Sequence, residues 1–334
     1  MRAARNIIPV FVPHLGCPNN CVFCNQRRIS GQSAPATASS VTKAVLEGIA
    51  KIPENSRIQL AFYGGSFTAI PVEEQKALLD AALPFLRDGT IESLRLSTRP
   101  DAIDAETLVR LREYGVKTIE LGAQSMCDEV LRLSGRGHTA RQTEESARLI
   151  KENGFELILQ MMTGLPGDTK ERTLETAKSI IALNPDGVRI YPTVIIEDTP
   201  LRDMWRDGKY KEHTVEEAVD WCAAVLPLFE KAGIPVIRLG LNPTEELSGG
   251  SAVGGAYHPA FGELVRSRLF LEKARGLLSD TPHGEKVTLC VNASELSAMI
   301  GQKRSNISLL CAEFGLASLK VSPADIQKGE LALA

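Results

Sequence analysis

Short apolar runs alternate with longer amphipathic stretches from residue 7 to residue 194. The short runs are rich in β-branched residues and predict strands, whereas the longer stretches repeat apolar residues at helical spacing. Strands that alternate with helices in this order form a parallel sheet with crossover helices, so the predicted fold class is α/β. The six predicted strands cover residues 7–12, 57–63, 92–97, 117–121, 156–162 and 187–194.

Capping residues mark the ends of several predicted helices. Asp104 and Thr139 each precede a helix, and Gly115 and Gly154 each follow a helix end. These signals support a βα unit that occurs six times. Six units are too few for a complete eight-stranded barrel, but a closed barrel and an open doubly wound sheet stay alternatives, because strand count does not reveal closure.

The pattern changes after the sixth strand. A helix over 215–232 and a short strand over 235–239 lead to a stretch rich in Gly, Ala and Ser over 247–257, which we interpret as a loop. A further helix follows, and from residue 286 the predicted order is strand, helix, turn, helix, strand. We therefore divide the chain into a first domain, 1–245, and a small α+β C-terminal domain, 246–334, that contains this βααβ unit.

Composition indicates a globular protein without a membrane span. The 334 residues are 43% hydrophobic and 24% charged, and no run predicts a signal peptide. Seven cysteines, three of them crowded, do not form the pattern of a disulfide framework, which favours a reducing cytoplasm. The net charge of -3 gives no global case for nucleic-acid binding.

The first 46 residues carry five basic residues and no acidic one. Such a local excess of positive charge is either a solvated face or a region that attracts anions. The basic residues are Arg2, Arg5, Arg27, Arg28 and Lys43.

Three cysteines with the spacing C-x3-C-x2-C follow the first predicted strand: Cys17, Cys21 and Cys24. Thiolates this close hold zinc or an iron–sulfur cluster. A cluster usually takes four cysteines, so a set of three leaves one iron open to a substrate. Two alternatives remain: His14 could complete a zinc site with the three cysteines, or the thiols could be small buried apolar groups.

Polar and glycine residues follow the next predicted strands. The second strand ends in Gly64-Gly65-Ser66, where paired glycines either admit a ligand to the backbone or simply form a turn. Ser97 ends the third strand, and Glu120 and Gln124 lie at the end of the fourth. Side chains at the carboxyl ends of barrel strands are typical ligand contacts. The alternatives are that Glu120 is a solvated edge residue and that Arg99 and Asp101, just after the third strand, pair on the surface.

Taken together, these motifs resemble the radical S-adenosylmethionine (radical SAM) superfamily, and within it the elongator catalytic-subunit family. The resemblance extends from Arg5 to about Val321. It is carried by Cys17 to Cys24, Gly64 to Thr68, Ser97 to Asp101, Glu120 to Ser125, Arg136 to Thr139, Gly164 to Gly167, Tyr191 to Thr193 and Arg238 to Leu241.

The resemblance implies a partial, TIM-like (β/α)6 barrel and an enzyme with two cofactors. Cys17, Cys21 and Cys24 would ligate a [4Fe-4S] cluster, and Phe23 would lie by the adenine of SAM. Gly64, Gly65 and Ser66 would meet the SAM amino group, and Ser97, Glu120 and Gln124 would contact the cofactor, its ribose or the substrate. The reduced cluster would cleave SAM to methionine and a 5′-deoxyadenosyl radical, which abstracts a hydrogen atom.

The family resemblance also implies partners. These are SAM, a tRNA substrate and an electron donor such as flavodoxin or ferredoxin. The chain departs from the elongator subunit in its shorter spacing of the first two cysteines, and we expect no acetyltransferase domain within its 334 residues. Two alternative functions stay open: a radical SAM enzyme acting on a small metabolite such as a tetrapyrrole, and a non-catalytic zinc protein that binds RNA.

The turn from Ile300 to Ile307 resembles the Ile-Gly-x-x-Gly-x-x-Ile turn of KH domains, which clamp a nucleic-acid backbone. Arg304 stands where the second glycine is expected, and Lys303 precedes it. The resemblance implies that Lys303 and Arg304 contact RNA phosphates. The alternative is a small helical cap in which Ile300 and Ile307 are core residues.

Overall fold

The structure is a computed structural model that describes residues 6–12, 17, 21–25, 28–29, 36–54, 56–244 and 247–334. Twelve strands are present in this part of the chain. They are β1 (Asn6–Phe11), β2 (Ile58–Tyr63), β3 (Ser93–Thr98), β4 (Val116–Gln124), β5 (Glu156–Thr163), β6 (Gly187–Pro192), β7 (Val194–Ile196), β8 (Val236–Leu239), β9 (Ala252–Gly255), β10 (Lys286–Asn292), β11 (Ser318–Ala324) and β12 (Leu331–Leu333).

Helices connect the strands as the sequence predicts, and two short helices, over 128–133 and 200–206, are additions to the prediction. The helices are α1 (Ala38–Ile49), α2 (Val72–Arg87), α3 (Ala105–Glu113), α4 (Asp128–Leu133), α5 (Ala140–Glu152), α6 (Lys170–Ala182), α7 (Pro200–Arg206), α8 (Val215–Lys231), α9 (Phe261–Leu278), α10 (Leu296–Ile300) and α11 (Ser305–Phe314). The predicted caps are confirmed, since Asp104 accepts from Thr107 N–H at 2.7 Å and Thr139 accepts from Gln142 N–H at 3.3 Å. None of the described helices combines the length and apolarity needed to cross a bilayer.

Seven strands form one parallel sheet in the order β1-β2-β3-β4-β5-β6-β8. The sheet is curled, because Arg189 on β6 donates to the Tyr63 hydroxyl on β2 at 3.0 Å. In a flat sheet these two strands, four steps apart, would be separated by about 19 Å. The described ladders leave β1 and β8 as the two edges, so the partial barrel is confirmed and the closed eight-stranded barrel is wrong.

Polar side chains fill the inside of the curl, and apolar ones face the helices. Gln59 donates to Ser93 and Thr118 at 3.0 and 3.1 Å, which links three neighbouring strands across the inner face. The alternate residues of the same strands, such as Leu60 and Leu94, are completely buried in the core beneath the helices. The inner face is thus the part of the sheet that offers polar chemistry.

The small C-terminal unit has its own sheet and core. The central β10 pairs in parallel with β11 and antiparallel with β12. One side of this sheet packs on α9, α10 and α11 around Leu289, Met299 and Leu310. The βααβ order is as predicted, and β12 is an addition to it.

Two predicted elements near residue 190 and residue 250 differ from the structure. The predicted strand 187–194 is interrupted at Thr193, so that β6 ends at Pro192 and β7 begins at Val194. The predicted loop 247–257 instead contains a π-helical turn over 247–251 and then β9, which pairs antiparallel with β7. The strand β9 lies in a Gly-rich stretch whose own propensity is low, so pairing with β7 decides its conformation.

Candidate active site

The three crowded cysteines lie beyond the carboxyl end of β1. Cys21 is buried, Cys17 and Cys24 are partly buried, and none of the chain's seven cysteines, all of which are described, forms a disulfide. Val22, the residue after Cys21, is held by both of its backbone groups. Its N–H donates to Ser134 O at 3.0 Å, and its carbonyl accepts from Leu201 N–H at 2.8 Å. His14 and three basic residues of the N-terminal stretch, Arg2, Arg5 and Arg27, lie outside the described residues.

The three thiols lie on one short loop, and cysteines in such a loop are a donor set that an iron–sulfur cluster takes. Among the described residues, no group of three His, Cys, Asp or Glu side chains is placed to hold a single metal ion. Burial, followed by the nearby Cys21, raises the pKa of Cys17, whereas Arg99 and Arg136 lower it. The net pKa of Cys17 is therefore raised, and the two arginines offset only part of the rise.

Two buried arginines lie beside the thiols. Arg136 donates through Nη1 to Cys21 Sγ at 3.4 Å and through Nη2 to Gly122 O at 2.7 Å. Arg99 pairs with Asp101 at 2.8 Å and is only 3% exposed, so this ion pair is not the surface pair that the sequence also allowed. Within the described residues, Arg99 Nη1 is buried and has no hydrogen-bond partner. A buried donor of this kind is available to an anionic group.

The paired glycines after β2 adopt a conformation that favours glycine. Gly64 has φ of 83° and Gly65 has φ of 32°, both in the left-handed region. Ser66 is completely buried; its hydroxyl lies 3.0 Å from Thr98 Oγ1 and accepts from Arg99 N–H at 3.2 Å. The Ser66 side chain thus ties this turn to the end of β3, and the glycines leave the backbone without side chains at the mouth of the barrel.

Glu120 occupies the inside of the curled sheet. Its Oε1 accepts from Arg95 Nη1 at 2.7 Å, Arg189 Nη2 at 2.9 Å and Tyr63 O–H at 2.9 Å. Its Oε2 forms an ion pair with Arg189 Nε at 2.7 Å, and the residue is 3% exposed. Burial raises the pKa of Tyr63 further above neutral, and the adjacent Glu120 carboxylate adds to this shift. Because its oxygens are engaged by protein donors, a ligand contact of Glu120 would have to displace one of them.

Gln124 and Ser97 lie nearer the mouth of the barrel. Gln124 has φ of 66° at a bulge in β4, and its Oε1 accepts from Gln160 Nε2 at 3.3 Å. A Cβ at Gly122 would lie 2.8 Å from Gln124 Nε2, so a side chain there would displace the Gln124 amide. Ser97 Oγ makes one long contact, 3.5 Å, with Phe62 O. Both side chains thus have hydrogen-bonding capacity beyond these contacts.

Phe23 packs into apolar clusters beside this mouth. Its partners include the buried residues Met162 on β5, Leu165 just after β5 and Ile195 on β7, together with the partly buried Tyr191. The structure therefore brings the cysteines, Phe23, Gly64 to Ser66, Ser97 and Gln124 to the carboxyl edge of one sheet. The strand ends thus hold Gly64 to Ser66, Ser97 and Gln124 along one edge, where side chains of a barrel typically contact ligands.

Sequence reasoning missed several polar residues of this region. Arg95 lies between two leucines on β3, and Arg189 lies between a valine and an isoleucine on β6. A charged residue between apolar neighbours in a strand is the signal that could have identified them. Arg136 lies in one of the motifs that carry the family resemblance, but the sequence alone predicts no role for it. Gln160 interrupts an apolar run in β5 in the same manner as the arginines. A charged residue in a buried strand indicates an inward partner.

Lys303 and Arg304 lie on the turn between α10 and α11, apart from the barrel mouth. Both residues are exposed, and both have a left-handed backbone conformation, with φ of 52° and 62°. Asn306 is buried and donates to the carbonyls of Ser267 and Met299 at 3.0 and 3.1 Å, which anchors the turn to α9 and α10. Ile307 is buried, as the helical-cap alternative also expects.

Comparison with known proteins gives two family matches. The radical SAM superfamily matches residues 11–180, and the radical SAM C-terminal domain matches residues 185–270. A tRNA uridine(34) acetyltransferase of Methanocaldococcus infernus is 27% identical over 255 residues, 64% of this chain and 48% of that protein. Human Elongator complex protein 3 is 31% identical over 192 residues, 52% of this chain and 35% of that protein. The chain thus spans less than half the length of these two relatives.

Solved structures share the fold. The archaeal Elp3 of Methanocaldococcus infernus, with its N-terminus deleted, superposes with a TM-score of 0.62 at 24% identity, covering 82% of this chain and 64% of that chain. Coproporphyrinogen III oxidase from Escherichia coli superposes with a TM-score of 0.50 at 19% identity, covering 69% of this chain and 53% of that chain. At these identities the similarity establishes the curled sheet and not the substrate.

Proposed function

The chain belongs to the radical SAM superfamily, and from that membership we propose that it cleaves SAM reductively in order to modify an RNA, most simply a tRNA. It is an enzyme of this superfamily, whose cofactors are a [4Fe-4S] cluster and SAM. The observation that carries the proposal is the joint placement of three thiols after β1 and two left-handed glycines after β2 at one edge of the sheet. The thiols would bind the cluster, and the glycines would bind SAM, the ligand of its open iron.

Each named residue has a role in holding these groups. Cys17, Cys21 and Cys24 would ligate the cluster, which when bound and reduced supplies one electron to break SAM into methionine and a 5′-deoxyadenosyl radical. The backbone of Gly64 to Ser66 would receive the SAM amino group, and Phe23 would cover the adenine. The apolar surroundings of Phe23 would exclude water from the reacting atoms.

Ser97 and Gln124 would bind the ribose or the substrate, because both have hydrogen-bonding capacity beyond their protein contacts. The Glu120 network, in contrast, would act mainly as the buried support of this mouth, and its predicted ligand contact stays a prediction. No general acid or base is required for a hydrogen-atom transfer.

The RNA substrate is supported from two directions. The relatives in the sequence comparison include a tRNA uridine(34) acetyltransferase, so tRNA is the substrate class to test first. The exposed pair Lys303 and Arg304 on a rigidly anchored turn offers positive charge to a phosphate backbone. An external one-electron donor such as flavodoxin or ferredoxin would reduce the cluster, and the unpaired cysteines are those of a protein in the cytoplasm.

We also propose the division into residues 1–245 and 246–334. The second part holds a separate apolar core, from Phe270 to Leu319. The first part holds the described cofactor residues.

The decisive experiment is anaerobic reconstitution with iron and sulfide, followed by incubation with SAM, dithionite and bulk tRNA. We expect a brown protein with bound iron and sulfide that forms 5′-deoxyadenosine, and we expect tRNA to increase the yield. A colourless protein with bound zinc would instead indicate the non-catalytic alternative. Deoxyadenosine formation that tRNA leaves unchanged, while a tetrapyrrole increases it, would indicate a small-molecule enzyme.

A further inference from the structure

Arg136 lies on a short loop after α4 that holds it through the backbone. Its N–H donates to Leu131 O at 3.0 Å, and its carbonyl accepts from Arg99 Nη2. The flanking Gly135 and Gly137 have φ of 65° and 74°. These left-handed residues turn the chain on both sides of Arg136, so its side chain enters the site from a fixed direction.

The same loop is bonded to the cysteine segment. Ser134 O accepts from Val22 N–H at 3.0 Å, directly beside Cys21, and Arg136 Nη1 lies 3.4 Å from Cys21 Sγ. Arg136 is 8% exposed and Cys21 is 7% exposed, so the contact is shielded from bulk water. Backbone pairing between the two loops therefore determines where the guanidinium meets the sulfur.

A cation at a cysteine sulfur acts on the electrons of a cluster that this sulfur binds. Hydrogen bonds to the sulfurs, net charge and solvent exposure determine the reduction potential of iron–sulfur clusters. A guanidinium keeps its charge at every relevant pH, and away from water its field is weakly screened. Because the reduced cluster carries one more negative charge, such a cation stabilises the reduced state more than the oxidised state.

We propose that Arg136 raises the reduction potential of the cluster through its contact with Cys21 Sγ. This inference rests on the proposed cluster ligands and adds a residue that controls how readily an external donor loads the electron. Arg99, also deeply buried, places a second guanidinium at the same loop and holds the Arg136 carbonyl. The role is one of tuning and positioning rather than of chemistry on the substrate.

The test is a mediated potentiometric titration of the reconstituted protein without SAM, followed by electron paramagnetic resonance of the reduced cluster. Arg136→Gln removes the charge at the sulfur. Arg132→Gln removes the same charge from an exposed position on α4 and is the matched control. At a fixed potential we expect Arg136→Gln to lower the ratio of reduced to oxidised cluster at least tenfold, a shift of about 59 mV for a one-electron couple. Arg136→Lys, which keeps the charge but loses the planar fork, should lower the ratio less.

The outcomes separate this inference from the proposed function. If the unmodified protein takes up no iron and sulfide, the proposed function is wrong and the inference falls with it. If all variants load a cluster and Arg136→Gln has the ratio of Arg132→Gln, the inference alone is wrong. Should Arg136→Gln fail to fold or to load, Arg136→Met, which also removes the charge but keeps a long side chain, decides in its place: a ratio below that of Arg132→Gln supports the inference, and an equal ratio overturns it.

Discussion

Position in the fold distinguishes the cysteines that we propose as ligands from the others. Cys17, Cys21 and Cys24 share one loop near two guanidinium groups, whereas Cys222 is completely buried in α8. Burial raises the pKa of Cys222 to about 12, so its thiol stays protonated at neutral pH. Sequence spacing predicts the three loop cysteines as the ligands, because cluster ligands often come from one short loop. It could not reveal the guanidinium groups, which arrive from loops distant in sequence.

Replacement of any one of the three loop cysteines by serine should abolish the cluster and the cleavage of SAM. A hydroxyl is a poor ligand for iron in place of a thiolate, and three cysteines leave none to spare. Iron and sulfide content, the visible spectrum and 5′-deoxyadenosine yield measure the effect. Cys311→Ser, in the C-terminal core, is the control and should load normally. An intact cluster in Cys21→Ser would contradict the assignment.

Gly65→Val should weaken SAM binding at least tenfold while the cluster remains. The branched side chain would fill the mouth of the barrel, and φ of 32° is unfavourable for valine. Equilibrium dialysis of labelled SAM against the reconstituted protein measures the affinity. Gly89→Val is the matched control, because Gly89 is also left-handed at 78° but has open space where the side chain would be placed. Equal affinities in the two variants would make Gly64-Gly65 an ordinary turn.

Among the elements, those with a strong pattern of their own were predictable and those defined by pairing were not. The strands β1 to β6 and the helices between them follow from alternating apolar runs and caps. The short strands β7, β9 and β12 do not, because three or four residues carry too little pattern and are specified by their neighbours in space. The inner-face charges were equally hidden, since the partners of Glu120 come from β2, β3 and β6.

The Glu120 network should contribute strongly to stability. Glu120→Gln leaves Arg95 and Arg189 largely buried without their carboxylate, and breaking a buried pair in this way costs about 3–5 kcal/mol. Urea unfolding of the protein without cofactors measures the free energy of unfolding. The control is Glu145→Gln, which removes an exposed partner of Arg141 and should cost about 0.5 kcal/mol or less. Equal costs would mean that the inner charges are well solvated.

Across the whole molecule, one helix belongs to both cores. Phe261 and Val265 at the start of α9 pack in the core of the main sheet, whereas Phe270 and Leu271 pack in the C-terminal core. An ion pair between Arg268 and Asp220 on α8, at 3.6 Å, lies between these two groups. Because a continuous helix is stiff, the basic turn at Lys303 is held in a fixed relation to the mouth of the barrel.

This geometry gives a test of whether the turn binds RNA. Lys303→Glu combined with Arg304→Glu reverses the charge of the turn without a change in the barrel. If the turn contacts phosphates, tRNA affinity should fall and the slope of log affinity against log salt should decrease by about 2, roughly one for each lost contact. Formation of 5′-deoxyadenosine without RNA should stay the same. Lys320→Glu combined with Lys328→Glu, two exposed residues of the same unit, is the control for net charge and should retain the salt slope. If both double variants bind tRNA equally, the turn has no phosphate contact and RNA must bind elsewhere on the molecule.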